Sequence, residues 1–244
     1  MRAGVEAVTN QFRVTLEFGP KGKKVVAVAP DWPGLSRGAN TEAAALERLL
    51  DYRPRYARVA QLAGMNEAYA ASSAASSSVE VIERYPGTGS TDFWGISYGF
   101  SSHDRQQVSV EGLERELSLM RGCWTFFDEV RSRVSAELQK GPRGGGRDRD
   151  QIVRHTMAAE RDWAKGLGLI YPQDTPLSDE ALAAHRNAYC EAIRTFHSEN
   201  RPSGKWPLRY LIRHTAYHTL DHAWEMEDKD LTAGQGPAGR TRSS

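Results

Sequence analysis

Residues 12 to 18 alternate Phe12, Val14, Leu16 and Phe18 with Arg13, Thr15 and Glu17, the period of two that marks a half-buried strand. A Gly/Lys turn, GPKGKK, leads to a second apolar run from Val25 to Ala29, stopped by PDWPG. The two runs together predict a β-hairpin. Thr41 stands where an N-cap belongs, ahead of a short helix over TEAAALERLLDY with Glu42 in its first turn and Leu46, Leu49 and Leu50 on its inner side. Pro54 is expected to open another helix, running to Ala63. The small polar stretch 71–78, ASSAASSS, is expected to be a loop before a third strand, Val79 to Arg84. YPGTGSTDFWGISYGF offers only glycine punctuation and exposed-looking aromatics, so it predicts an irregular connection.

The pattern changes after residue 108. Leu113, Leu117, Met120, Trp124, Phe127 and Val134 recur at helical spacing, which predicts one long helix over 109–138 with a wide apolar stripe, ended by GPRGGG. Three more amphipathic helices follow, over 148–166, over 178–199 with Leu182, Tyr189, Ile193 and Phe196 inward, and over 207–229. Four such helices with no strand between them predict a four-helix bundle. The chain therefore divides into an α+β module with its connection (1–108), a bundle (109–230) and a tail (231–244) that has nothing to bury and is expected to be disordered.

Composition narrows the function. The 244 residues include 32 Lys and Arg against 31 Asp and Glu, a net charge of +1, so no global attraction to nucleic acid or to an anionic membrane is expected. No apolar run is long enough for a membrane helix, and Met1 to Asn10 lacks the features of a secretion signal; a cytoplasmic location is the expectation. Cys123 and Cys190 lie in different helical patterns and form no C-x-x-C pair, which points away from disulfides and thiolate zinc sites. A metal would have to be held by histidines and carboxylates.

In RYLIRHTAYHTLDHAWEMED the residues His214, His218 and His222 fall four apart, so their imidazoles stack along one side of a helix. With Leu211 at zero and about 100° per residue, His222 falls near +20°, His218 near −20° and His214 near −60°. His218 and His222 thus straddle the face that carries Leu211, Thr215 and Met226, with His214 at its edge. A lone inward histidine is more often a satisfied core residue than a ligand. For two adjacent inward imidazoles the balance shifts, because separate partners for both are expensive to supply and one divalent ion satisfies both. A third ligand must come from another helix. His155 shares a face with Ile152, Ala159 and Trp163, and His185 lies among Leu182, Tyr189 and Ile193; packing or an indirect role suits His185 better. His103 and His197 are expected on the surface or in loops.

A histidine near the start of the second of four helices and an H-x-x-x-H on the last, within YHTLDHAWEMED, resemble the DinB superfamily of metalloprotein bundles over roughly residues 109–230. The resemblance implies a triad of His155, His218 and His222 on Zn or Ni. Superfamily members include transferases and isomerases that use low-molecular-weight thiols of the mycothiol or bacillithiol type, so it also implies a small-molecule thiol and an electrophile as partners. Three protein ligands leave a coordination position open for water or substrate, as catalytic zinc sites do. Asp221, Glu225 and Glu160 are candidates to orient the imidazoles, although each could equally be solvated. Arg143, Arg147 and Arg149 form a basic loop without the trailing K-[ST] of a phosphate loop.

Asp31, Pro33, Gly34, Thr41, Glu42 and Ala45 stand where the HicB-like fold carries a strand ending in D-x-P-G, a small turn and a T-x-E-E-A-type helix. This resemblance covers about residues 11–62 and implies a ββαβ module. Gly34 supplies turn geometry and Thr41 the cap. No helix-turn-helix or ribbon segment for DNA follows, so the module is expected to serve self-association, a possible homodimer, or to cover the mouth of the bundle. The rival to a metal-dependent transferase is a non-catalytic regulatory or protein-binding module, like a HicB antitoxin, with a structural metal or none.

Overall fold

The computed structural model describes residues 12–74, 79–142, 145–172 and 178–232. The expected disordered tail falls almost wholly outside these residues, as do Arg143, residues 75–78 and Met1 to Asn10. Among the described residues the fold is mixed α+β, with a four-stranded sheet and eight α-helices, and no helix is long and apolar enough to cross a membrane.

The predicted hairpin is β1, Phe12–Phe18, antiparallel to β2, Val25–Val28. Phe12, Val14 and Leu16 are buried in the core beneath the helices. Thr15 and Glu17, on the opposite face, are buried as well. A strand that the pattern does not predict, β3 (Ser36–Ala39), pairs antiparallel with β2. Its residues, SRGA, show no alternation, and the ladder to β2 makes the strand. The third predicted strand is β4, Val79–Pro86, which lies parallel to β1 and completes the order β3-β2-β1-β4. Register slips within β4, where Val81 faces Val14 and Glu83 faces Thr15, so Ile82 is an extra residue in an edge strand.

The turn after β2 brings Gly34 to φ +98°, with an added Cβ lying 3.2 Å from Cys123 Sγ and 3.3 Å from Ala216. Only glycine takes this conformation at so close an approach to two helices. Thr41 caps α1 as expected, its Oγ1 accepting from the Ala44 N–H at 3.2 Å. The expectation of two helices meeting at Pro54 is corrected, because α1 runs unbroken over Glu42–Leu62. Proline deletes one hydrogen bond inside a helix, but Ala45 and Leu49 before it and Tyr56, Val59 and Ala60 after it are all buried. Tyr56 also donates to Pro33 O at 2.7 Å. The loop expected over 71–78 is likewise corrected in its first part, since α2 spans Asn66–Ala74. Buried Tyr69 anchors it against Trp32, ring centroids 4.7 Å apart, and donates to Arg53 O at 2.7 Å.

The connection holds two short helices, α3 (Gly89–Trp94) and α4 (Ser102–Arg105). Buried Glu17 explains its path, accepting N–H bonds from Tyr98 at 3.0 Å and Gly99 at 2.9 Å and the hydroxyls of Thr91 and Ser97.

The long helices are α5 (Val110–Arg133), α6 (Arg149–Ala164, extended by a 3-10 turn Lys165–Leu167), α7 (Asp179–Ser198) and α8 (Leu208–Asp228). The first ends at Val134 and not at GPRGGG. There Asp230 accepts from the Ser135 N–H at 2.9 Å, and Leu138, which is buried, bridges to Asp230. Arg194 binds Glu114 with two bonds and Arg186 pairs with Asp128, tying α7 to α5. The six apolar residues predicted for α5 and the four for α7 are all buried. Gly122 on α5 sits so close to α1 that a Cβ would stand 2.9 Å from Val59 O. Buried residues before and after residue 108 accordingly form one cluster.

Candidate metal centre

His218 and His222 lie one turn apart on α8, and His155 lies in the second turn of α6. Side chains four apart on a helix point the same way, and the packing of α6 against α8 brings the third imidazole to them. Their ligand atoms all lie within 4.8 Å of one another. His155 Nε2 and His218 Nε2 are 3.3 Å apart. Two nitrogens bound to one tetrahedral ion at ~2.05 Å are separated by about 3.3 Å, so this pair stands at the spacing of a shared ion. The rings of His218 and His222 are perpendicular, with centroids 4.6 Å apart. His155, His218 and His222 form a group that could hold a divalent metal ion.

Glu225 orients one member. Its Oε2 meets His222 Nδ1 at 2.8 Å, and its Oε1 accepts from Lys229 Nζ at 2.6 Å. With Nδ1 engaged, His222 presents Nε2 to the other two rings. The hydrogen bond from His222 holds the Glu225 carboxyl at about 2, outweighing burial, and Lys229 helps. Two of the imidazoles are biased to the neutral, ligand form. Burial, and then the neighbouring His222, His214 and His155, pull His218 down to about 2. Burial, Arg147 and His222 lower His155. His218 Nδ1 is buried without a hydrogen-bond partner among the described residues.

The other acidic candidates lie elsewhere. Asp221 pairs with Arg37 at 3.1 Å, at the junction of α8 with β3. Glu160 is buried between α5, α6 and α7, accepting from Trp124 Nε1 at 2.6 Å and facing His185 Nε2 at 3.0 Å. His185 therefore stays out of the triad, as expected. His214 turns away into an aromatic cage of Tyr98, Trp163, Trp206 and Tyr210, stacked on Tyr210 with its Nδ1 3.3 Å from the hydroxyl. His103 departs from its expected surface place. It is half-buried on α4, with Arg209 against its Nε2, and burial and that guanidinium lower it to about 4. His197, also half-buried, contacts Val108 O at 2.8 Å.

Two features escaped the sequence. Trp163 sets its ring edge-on to His218 at 5.1 Å, which its shared face with His155 foreshadowed. Arg37 lies over the rings of Tyr52 at 3.7 Å and Trp224 at 4.4 Å, and nothing along the chain signals that stack. Beyond Glu225 opens a cleft of about 240 Å³, lined by Tyr52, Asp221, Trp224, Glu225, Asp228 and Lys229. No protein-family model, no curated protein and no solved structure matches the chain.

Proposed function

We propose that this chain is a DinB-like metalloprotein whose His155, His218 and His222 hold Zn or Ni, and that it transfers a low-molecular-weight thiol of the mycothiol or bacillithiol type to an electrophile. The observation that carries the reading is the convergence of three imidazoles from two helices, with one Nε2 pair at 3.3 Å. A bound ion of this kind supplies a Lewis-acid position at which a thiol loses its proton and becomes a nucleophile. The chain's own groups prepare that position. Burial favours the neutral form of His218 and His155, Glu225 fixes the orientation of His222, and Lys229 holds Glu225 in turn. The perpendicular indole of Trp163 covers one side of His218.

Metal analysis of the purified protein tests the site. Wild type is expected to carry one equivalent of Zn or Ni, and His155→Ala, His218→Ala and His222→Ala are each expected to lose it. Retention of the metal by His218→Ala refutes the triad. The transferase reading is tested separately, by assaying metal-loaded protein with several low-molecular-weight thiols and electrophiles and adding a chelator. Stoichiometric metal without any metal-dependent turnover favours the regulatory reading, in which the ion is structural.

A further inference from the structure

An overall charge of +1 conceals a local imbalance at one end of the sheet. The β1–β2 turn, residues 19–24, and the segment 87–96 contain three lysines and a single carboxylate, Asp92. That carboxylate is spent internally, accepting the backbone N–H groups of Lys21 at 2.6 Å, Lys23 at 2.8 Å and Lys24 at 3.2 Å. Burial opposes its ionisation, yet these three bonds hold it below the usual carboxylate range. The fit is close, since a Cβ on Gly19 would stand 2.1 Å from Asp92 Oδ1. Asp92 thereby clamps α3 onto the hairpin turn.

The next two residues on α3 are Phe93 and Trp94, which are 73% and 64% exposed. Their rings meet edge to face with centroids 4.5 Å apart, and Gly95 ends the helix directly after them in the left-handed conformation. Lys21 and Lys23, whose backbone N–H groups bind the preceding residue Asp92, are exposed, and among the described residues neither ammonium has an ion-pair partner. Two aromatic rings are thus exposed at the end of α3, next to the residue that clamps this helix to a turn carrying three lysines.

We propose that this tip, Lys21, Lys23, Phe93 and Trp94, docks on the surface of an anionic phospholipid bilayer. Peripheral attachment needs two signals, apolar groups that enter the boundary between headgroups and acyl chains and basic groups that are drawn to anionic lipid. The tip carries both, and indole rings favour that depth. The perpendicular rings form a wedge rather than the parallel faces on which successive nucleic-acid bases stack. The clamp by Asp92 orders the tip in advance, so docking costs little conformational entropy.

Sedimentation of the full chain with phosphatidylcholine vesicles, with and without phosphatidylserine, tests the proposal. Binding is expected only with phosphatidylserine and should weaken as salt rises. Charge reversal in Lys21→Glu/Lys23→Glu is expected to weaken it by at least roughly thirtyfold, and Phe93→Ser/Trp94→Ser to abolish it. Wild type should show a blue shift of tryptophan fluorescence on the vesicles that Trp94→Phe lacks. All these positions are exposed, and circular dichroism is the control that the variants fold. Three results overturn the proposal: no binding to phosphatidylserine vesicles at low salt, binding indifferent to either double variant, or a preference for single-stranded RNA that depends on the same four residues.

Discussion

At the scale of single residues, Glu225 separates a group that orients a ligand from acids that lie near the centre in sequence alone. Its bond to His222 Nδ1 is the kind whose loss costs about 10–100-fold in metal affinity. Glu225→Ala is therefore expected to weaken metal binding by that factor in a competition titration against a chromophoric chelator, while Asp221→Asn leaves it unchanged. Spacing along α8 put Asp221 and Glu225 on equal terms; the pairing of Asp221 with Arg37, far earlier in the chain, decided between them. His214 gives a prediction in pH. Burial and Arg213 lower it to about 3, against about 6.5 in an unfolded chain. Between these values the unfolded state binds the extra proton, so the folded state loses stability as pH falls, by up to about 1.4 kcal/mol per pH unit. Urea denaturation at pH 6.5 and 5.5 should show this loss, and His214→Phe should reduce it by about 1 kcal/mol. His103, also depressed, contributes with the same sign.

At the scale of elements, hydrophobic period predicted the strands of the hairpin and the four long helices because the apolar positions that set the period are buried, even where β2 and α8 bury more than one face. It failed where a distant contact outweighed local preference. Pro54 does not divide α1 because apolar residues on both sides of it are buried, and α2 forms from a small polar segment because Tyr69 is locked between Trp32 and Arg53. The end of α5 is set by Asp230, and GPRGGG plays no part in it. Edge strand β4 is interrupted at Ile82 and carries Glu80, Glu83 and Arg84, features that discourage pairing with another sheet. The turn at Gly34 joins the sheet to the helices. Gly34→Ala adds a Cβ at positive φ within 3.3 Å of α5 and α8 and is expected to cost about 1–3 kcal/mol, read as a lower denaturation midpoint with an unchanged slope.

At the scale of the whole molecule, one apolar cluster runs from Phe12 in β1 to Met226 in α8, so the change in pattern at residue 108 does not divide the core. The three histidines link α6 to α8, and a bound ion would act as a tie between them. At a free metal concentration one hundred times the dissociation constant, such a tie adds about 2.7 kcal/mol. Calorimetry is expected to show a midpoint about 5–10 °C higher for metal-loaded than for chelated wild type, with no such difference in His222→Ala. A chelated protein that still melts cooperatively would mark the ion as an addition to a core that folds without it.

What the sequence by itself determined was periodic: the strands of the hairpin, the faces of the four long helices, the cap at Thr41, and the inward direction of His218 and His222. These follow from bond geometry repeated along one element. Tertiary structure alone decided which surfaces meet. It brought His155 rather than His185 to the pair, took Asp221 and Glu160 away to Arg37 and Trp124, and gathered three lysines and two aromatic rings at one tip of a chain with almost no net charge. Such choices depend on the packing of elements far apart in sequence, and no local period encodes them.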